Sequence, residues 1–135
     1  MKLSGTYTVA NWNEEPYRPD ENGMRFSKTS AQFSFVGDII GTADIEYLMF
    51  YSSFDPADMH KSQAQYVGHM KIAGSLKGKS GSFTLTDSGT FDAGVASSEV
   101  DVIVGSGTGE LSGIVGLGSY RADKNGCRWE LDIQL

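Results

Sequence analysis

Apolar and polar residues alternate along most of the chain, and no long segment repeats its apolar residues at the period of an amphipathic helix. Alternation at a period of two is typical of β-strands with one buried face. The two polar stretches 13–23 and 53–62 interrupt this pattern and are predicted to be loops. The pattern predicts strands over 3–11, 24–36, 39–52, 63–73, 80–89 and 90–104, a seventh within 105–120, and a closing hairpin with arms 119–123 and 127–135.

These strands are joined mostly by short turns, which favours antiparallel neighbours in sequence order. An open sheet of eight such strands would leave two unpaired edges, and closure into a barrel removes both. The length of 135 residues suits one domain. We therefore predict an all-β fold, a single antiparallel up-and-down eight-stranded β-barrel over residues 1–135. The interior of such a barrel is either filled by side chains or holds one small ligand.

The stretch GSGTGELSGIVGLGSY, residues 105–120, is dense in glycine and raises the question of a phosphate site. It contains no lysine, which a P-loop requires, and no helical pattern follows it, as a dinucleotide-binding fingerprint requires. Gly105, Gly107 and Gly109 share one face at strand spacing, which permits bending or close approach of a neighbouring backbone. We predict a bent strand followed by its turn, with no phosphate bound.

The chain has a net charge of -6, and its 11 basic residues are scattered rather than clustered. Nucleic acid and anionic membrane surfaces attract proteins through concentrated positive charge, so neither is an expected partner. No apolar run reaches the length of a membrane-spanning helix, and the N-terminus lacks the apolar core of a signal peptide. The lone Cys127 cannot form an internal disulfide. Together these features predict a cytoplasmic protein.

Glu46 is the carboxylate with the strongest case for a catalytic role, because it lies among apolar residues on a central predicted strand. If it points into the barrel, burial would favour its neutral form and suit it to general acid or base catalysis. If it lies with Asp44 on the solvent face, it has no such role. His69, in the middle of a predicted strand, is a second candidate acid or base, and the alternative is a structural or surface histidine.

No metal site and no cofactor are predicted. Asp55, Asp58 and His60 superficially suggest a cation site, but they lie in a polar loop without a second histidine nearby. A ligand cavity in the barrel is predicted to be lined by Trp12, Tyr47, Tyr66, Trp129 and Lys28. The alternative is that the aromatic side chains fill the core.

Four stretches, in this order and spacing, resemble a known family: GTYTVANWNEEPY, FVGDIIGTADIEYLMFY, QYVGHMKIAGSLKGKSGSFTLTDSGTFD and GSGTGELSGIVGLGSY. The chain resembles, nearly end to end, the bacterial domain-of-unknown-function 3224 family. The resemblance implies an allene-oxide-cyclase-like, calycin-like barrel that often self-associates, as a homodimer or higher homo-oligomer, and it implies no reaction. Glu46 matches the family pattern, whereas His69 and Met70 stand where members often carry an apolar residue and a glutamate.

Three functions are consistent with these features. The first is a binding module that holds a small, largely apolar molecule in the barrel. The second is an isomerase or cyclase-like enzyme, as in the plant allene oxide cyclases that share the barrel, with Glu46 as acid or base and His69, Tyr47 or Lys28 orienting the substrate. The third is a structural protein with a filled barrel whose outer face mediates assembly.

Overall fold

The predicted strands form one closed antiparallel barrel in which every strand pairs with its neighbours in sequence. The computed structural model describes residues 1–135. Residues 2–6 of the first strand pair with residues 128–132 of the last and close the barrel. The strands are β1 (Lys2–Pro16), β2 (Arg25–Gly37), β3 (Ile39–Ser53), β4 (Gln63–Leu76), β5 (Lys79–Asp92), β6 (Val95–Val102), β7 (Val115–Asp123) and β8 (Gly126–Gln134). The all-β, eight-stranded prediction is confirmed, while the closer likeness to allene oxide cyclases stays a prediction.

The only helical segments are two 3₁₀ turns, Met59–Lys61 and Gly109–Leu111. Neither has the length or the hydropathy needed to cross a bilayer as a helix.

Alternation decides which side chains point inward, as the example of β2 shows. The alternate residues Ser27, Thr29, Ala31, Phe33 and Phe35 are buried, and each residue between two of them is exposed or half-buried. Since successive side chains of a strand point to opposite faces, each strand contributes one set to the interior. The buried apolar side chains, 26 in number, form a single cluster inside the barrel.

β1 is longer than predicted, because a bulge reverses its alternation. The register against β2 shifts between Val9 and Asn11, and pairing then continues to Pro16. An extra residue in one strand moves the side chains beyond it to the opposite parity. Trp12 and Glu14 therefore face the interior, although the polar residues around Glu14 predicted a loop.

The predicted boundary between the fifth and sixth strands is also wrong. β5 continues to Asp92, and the chain turns at Ala93 and Gly94. Both turn residues have positive φ, 52° and 79°. This is the backbone of a type I′ hairpin turn, for which Asn-Gly or Asp-Gly is the usual sequence signal. Ala93 adopts it without that signal, so the turn escapes prediction.

The first half of the glycine-rich stretch is a loop, so the predicted bent strand over Gly105–Gly109 is wrong. The loop runs beside the first half of β5, where β6 no longer pairs. The Thr108 N–H donates to the Ser82 carbonyl at 2.8 Å, and the Thr84 N–H donates to the Ser106 hydroxyl at 3.1 Å. A backbone N–H and a side-chain oxygen of the loop thus satisfy the backbone hydrogen-bonding groups on this edge of β5, which a neighbouring strand would otherwise pair with.

This loop needs its glycines for tight packing rather than for a strand face. Gly105 has a φ of 87°, which other residues rarely adopt. A Cβ at Gly107 would lie 2.1 Å from the Leu111 carbonyl oxygen. The tight path brings Leu111 and Ile114 into the barrel, where their exposed fractions are 2% and 0%.

The barrel therefore has a closed end and an open end. At the closed end, Leu111 and Ile114 are buried together with Leu3, Ile39 and Leu76. At the open end, strands β1, β3, β5 and β7 end and the strands that follow them, β2, β4, β6 and β8, begin. Trp12 and Met59, which stand at the open end, are 45% and 42% exposed.

Candidate functional site

A cavity of about 260 Å³ occupies the open end of the barrel. An apolar protein cavity of about 150 Å³ holds one benzene molecule, so this cavity suits a molecule with one or two rings. Of its 14 lining residues, Glu14 is the only one that carries a charge. Eight of them carry aromatic rings, namely Tyr7, Trp12, Phe33, Tyr47, Tyr51, Tyr66, Phe91 and Tyr120.

Asp87 lies behind two of the lining tyrosines and is only 2% exposed. Its Oδ2 accepts hydrogen bonds from the Tyr47 hydroxyl, at 2.9 Å, and from the Tyr120 hydroxyl. The two hydroxyls also contact each other. Asp87 Oδ1 has no hydrogen-bond partner. An ionised carboxylate is costly to bury with one oxygen unpaired, so this environment favours the neutral acid.

Burial raises the pKa of Asp87, and the hydroxyls of Tyr120, Tyr47 and Ser98 offset this effect in part. Burial also raises the pKa of Tyr120 well above its ordinary value and that of Tyr66 to about 12. The tyrosines therefore keep their protons at neutral pH. Asp87 is the one carboxyl group of this cluster, and burial raises its pKa from the ordinary value of 3.8.

A second carboxylate, Glu14, stands at the mouth of the cavity and is held by three donors. Its Oε2 accepts from the Tyr51 hydroxyl at 2.7 Å and from the Ser27 hydroxyl at 2.9 Å, and its Oε1 accepts from Trp12 Nε1 at 3.1 Å. A carboxylate offers about four lone-pair sites, so roughly one acceptor site on Glu14 stays open. The side chain is thus fixed in place and can still bind one donor.

Three of the five predicted lining residues lie where the cavity is. Trp12, Tyr47 and Tyr66 all line it. Trp129 does not line it, since its ring is buried deeper in the barrel and stacks on Phe35 with ring centroids 5.6 Å apart. Trp129 therefore belongs to the core, and whether the other three bind a ligand stays a prediction.

The remaining predicted site residues lie on the outer face of the barrel. Glu46 and His69 are opposite each other in the β3–β4 register, and both are exposed, as is Lys28. The alternation that points Tyr47 inward points Glu46 outward. Of the two orientations open for Glu46, the solvent-facing one is observed, and an inward-facing Glu46 is wrong. Lys28 as a cavity contact is wrong for the same reason.

The sequence reasoning missed Asp87, Tyr120 and Glu14. Asp87 could have been found, because it follows Phe83 and Leu85 at a spacing of two on the apolar face of β5. A charged residue that continues an apolar face is a signal of a buried functional group. Glu14 gave no such signal, because the bulge in β1, which the sequence does not reveal, changes the face on which Glu14 lies.

Comparison with known proteins places the whole chain in one family. The family described as "Protein of unknown function (DUF3224)" matches residues 3–135. A crystal structure of a DUF3224-family protein of unknown function from Shewanella oneidensis MR-1 is similar in fold, with a TM-score of 0.81 and 23% sequence identity over 100% of this chain and 97% of that one. Comparison with curated protein sequences gave no match.

Proposed function

This chain belongs to the DUF3224 family, and we propose that it binds a small, largely apolar molecule in the cavity at the open end of its barrel. The observation that carries this proposal is the cavity itself, about 260 Å³ in volume and lined almost entirely by apolar and aromatic side chains. Small-molecule sites in proteins are mostly apolar concavities with a few fixed polar groups. Glu14, and the Tyr47 and Tyr120 hydroxyls in front of Asp87, are those polar groups here.

The cavity lies in a part of the barrel interior that larger side chains could fill. The closed end is packed with aliphatic side chains, whereas at the open end two small residues, Ala96 and Ala122, line the space. Larger side chains at these two positions would remove much of the volume, so the empty space depends on residue choice. The distribution of large and small side chains therefore favours binding over a purely structural barrel.

Filling the cavity by Ala122→Trp is expected to weaken ligand binding. The probe is N-phenylnaphthylamine, a neutral dye whose fluorescence rises in apolar surroundings; its two-ring naphthalene group matches the cavity volume, and its phenyl group can extend into the open end. We expect wild-type protein to bind it and Ala122→Trp to bind it at least about tenfold more weakly, a loss of about 1.4 kcal/mol. The measurement is a fluorescence titration, with circular dichroism to confirm folding.

The matched control is Thr42→Trp, which adds the same indole on the exposed outer face of β3. It should bind the dye as the wild type does. If Ala122→Trp does not fold, Ala96→Phe provides a smaller filling of the same cavity. Equal binding by filled and control variants, or no binding by wild type, would contradict the proposal.

Asp87 favours a second candidate function, an isomerase in which this buried acid replaces the predicted Glu46. A carboxyl group kept neutral by apolar surroundings beside tyrosine hydroxyls can donate or accept a proton during a reaction. Native mass spectrometry of the protein from cell extract would identify a bound molecule. Conversion of that molecule by wild type but not by Asp87→Asn, with binding retained in both, would favour the enzyme over the binding module. Self-association and a cytoplasmic location stay predictions.

A further inference from the structure

The only charged side chain that lines the cavity is negative. It is Glu14, since no lysine, arginine or histidine is among the lining residues and the surroundings of Asp87, behind the tyrosines, favour its neutral form. Arg25, which begins β2, attracts Glu14 through space but forms its ion pair with Asp20, at 2.7 Å, and is not among the lining residues. A ligand carboxylate, sulfonate or phosphate would enter without a cation to pair with, at a high desolvation cost.

The hydrogen bonds of the lining also select the ligand. The hydroxyls of Tyr47 and Tyr120 donate to Asp87, and Trp12 Nε1 and the Tyr51 hydroxyl donate to Glu14. A tyrosine hydroxyl has one proton and an indole has one N–H, so these four groups have no further donor to offer. The Tyr66 hydroxyl is paired with Ser98, so the Tyr7 hydroxyl, beside Cys127, is the remaining donor, whereas the oxygens of all these hydroxyls and of Glu14 keep lone pairs. The lining therefore presents more acceptors than donors to whatever enters.

The aromatic rings of the lining provide a third, independent reason to expect a positively charged ligand. Tyr47 lies between Trp12 and Tyr66, with ring centroids 6.4 Å and 4.7 Å away. All three rings line the cavity, and Trp12 stands beside the Glu14 carboxylate that accepts its N–H. The face of an aromatic ring carries partial negative charge and attracts cations, as in the aromatic cages that bind alkylated ammonium groups.

We propose that the ligand is a hydrophobic ammonium ion, a protonated amine attached to one or two rings, whose nitrogen lies between Glu14 and the rings of Trp12, Tyr47 and Tyr66. This inference rests on the proposed function, because it names the ligand class for the same cavity. The ammonium group supplies the hydrogen-bond donors that the lining lacks, and it pairs with the open acceptor site of Glu14. The apolar body fills the remaining volume towards Phe33 and Tyr120.

The test uses three ligands with the same naphthalene ring and different charge: naphthylmethylamine, which is protonated at neutral pH, naphthylmethanol and naphthoate. Each competes with N-phenylnaphthylamine for the wild-type protein. The amine is expected to bind at least about tenfold more tightly than the carboxylate, and the alcohol between them. Glu14→Gln should reduce the preference for the amine over the alcohol, with the remainder due to the aromatic rings, and leave the affinity for the alcohol unchanged.

The matched control is Glu15→Gln, which removes the same charge from the neighbouring exposed residue of β1. It should leave the preference for the amine intact. Naphthoate binding as tightly as the amine, equal effects of the two glutamate substitutions, or displacement by none of the three ligands would overturn the inference, while dye binding by wild type would leave the proposed function standing. If the dye itself fails to bind, the proposed function fails first.

Discussion

Asp87→Asn is expected to make the protein more stable than wild type at neutral pH. The substitution keeps the size of the side chain and an oxygen that can accept from Tyr47 and Tyr120, but it cannot ionise. In the wild type, burial raises the pKa of Asp87 above its ordinary value of 3.8. Ionising this carboxyl at neutral pH therefore costs free energy in the folded state that it does not cost in the unfolded chain.

The sign of the pH dependence follows from the raised pKa. Below about pH 3.8 the carboxyl is protonated in both states, so wild type and variant differ little in this respect. Above that pH the unfolded chain releases the proton while the folded protein retains it, and the wild type loses about 1.4 kcal/mol of stability per pH unit until the folded-state pKa is passed. The stability advantage of Asp87→Asn should thus grow as pH rises and then level off.

Urea unfolding of both proteins between pH 4 and pH 8 would measure this difference. Asp101→Asn, on the exposed face of β6, serves as the control for the loss of one negative charge. The free energy of unfolding of Asp101→Asn should change with pH as that of the wild type does. A difference between Asp87→Asn and wild type that is the same across this range would mean that burial does not penalise the Asp87 carboxylate.

The sequence predicted the barrel well because alternation is a property of each strand taken alone. Thr29, Phe33 and Phe35 on β2 and Tyr47 on β3 occupy the inward positions that their spacing indicates. The prediction failed where a bulge or an unusual turn changes which residues face inward or where a strand ends. The bulge before Asn11 reverses parity in β1, and the turn at Ala93 carries no usual turn residue.

The site was predicted in part, for a related reason. Trp12, Tyr47 and Tyr66 were chosen as aromatic residues and do line the cavity, whereas Trp129 has the same chemistry but lies towards the packed part of the barrel. Sequence spacing gives the face on which a residue lies but not its depth along the barrel. Depth depends on the stagger between strands, which only the closed structure fixes. Glu46 was selected for its apolar neighbours, although those neighbours alternate between the two faces.

Leu111→Ala is expected to be the most destabilising of the substitutions considered, at a cost of about 2–5 kcal/mol in the free energy of unfolding. Leu111 is 2% exposed and reaches the closed end from the glycine-rich loop, beside Ile114. Truncation would leave a void that the barrel walls cannot collapse to fill, because their backbones are held by ladder hydrogen bonds on both sides. Chemical unfolding monitored by tryptophan fluorescence would measure the loss.

Leu117→Ala is the matched control, since Leu117 is the same residue on the outer face of β7 and is 59% exposed. Its cost should stay within about 0.5 kcal/mol. Equal costs for the two leucines would show that the loop does not pack into the barrel end. Because Leu111 lies at the closed end and the cavity at the open end, folded Leu111→Ala should still bind N-phenylnaphthylamine with wild-type affinity. Weaker binding would mean that the closed end also shapes the cavity, so one pair of variants separates the loop's structural role from the binding site.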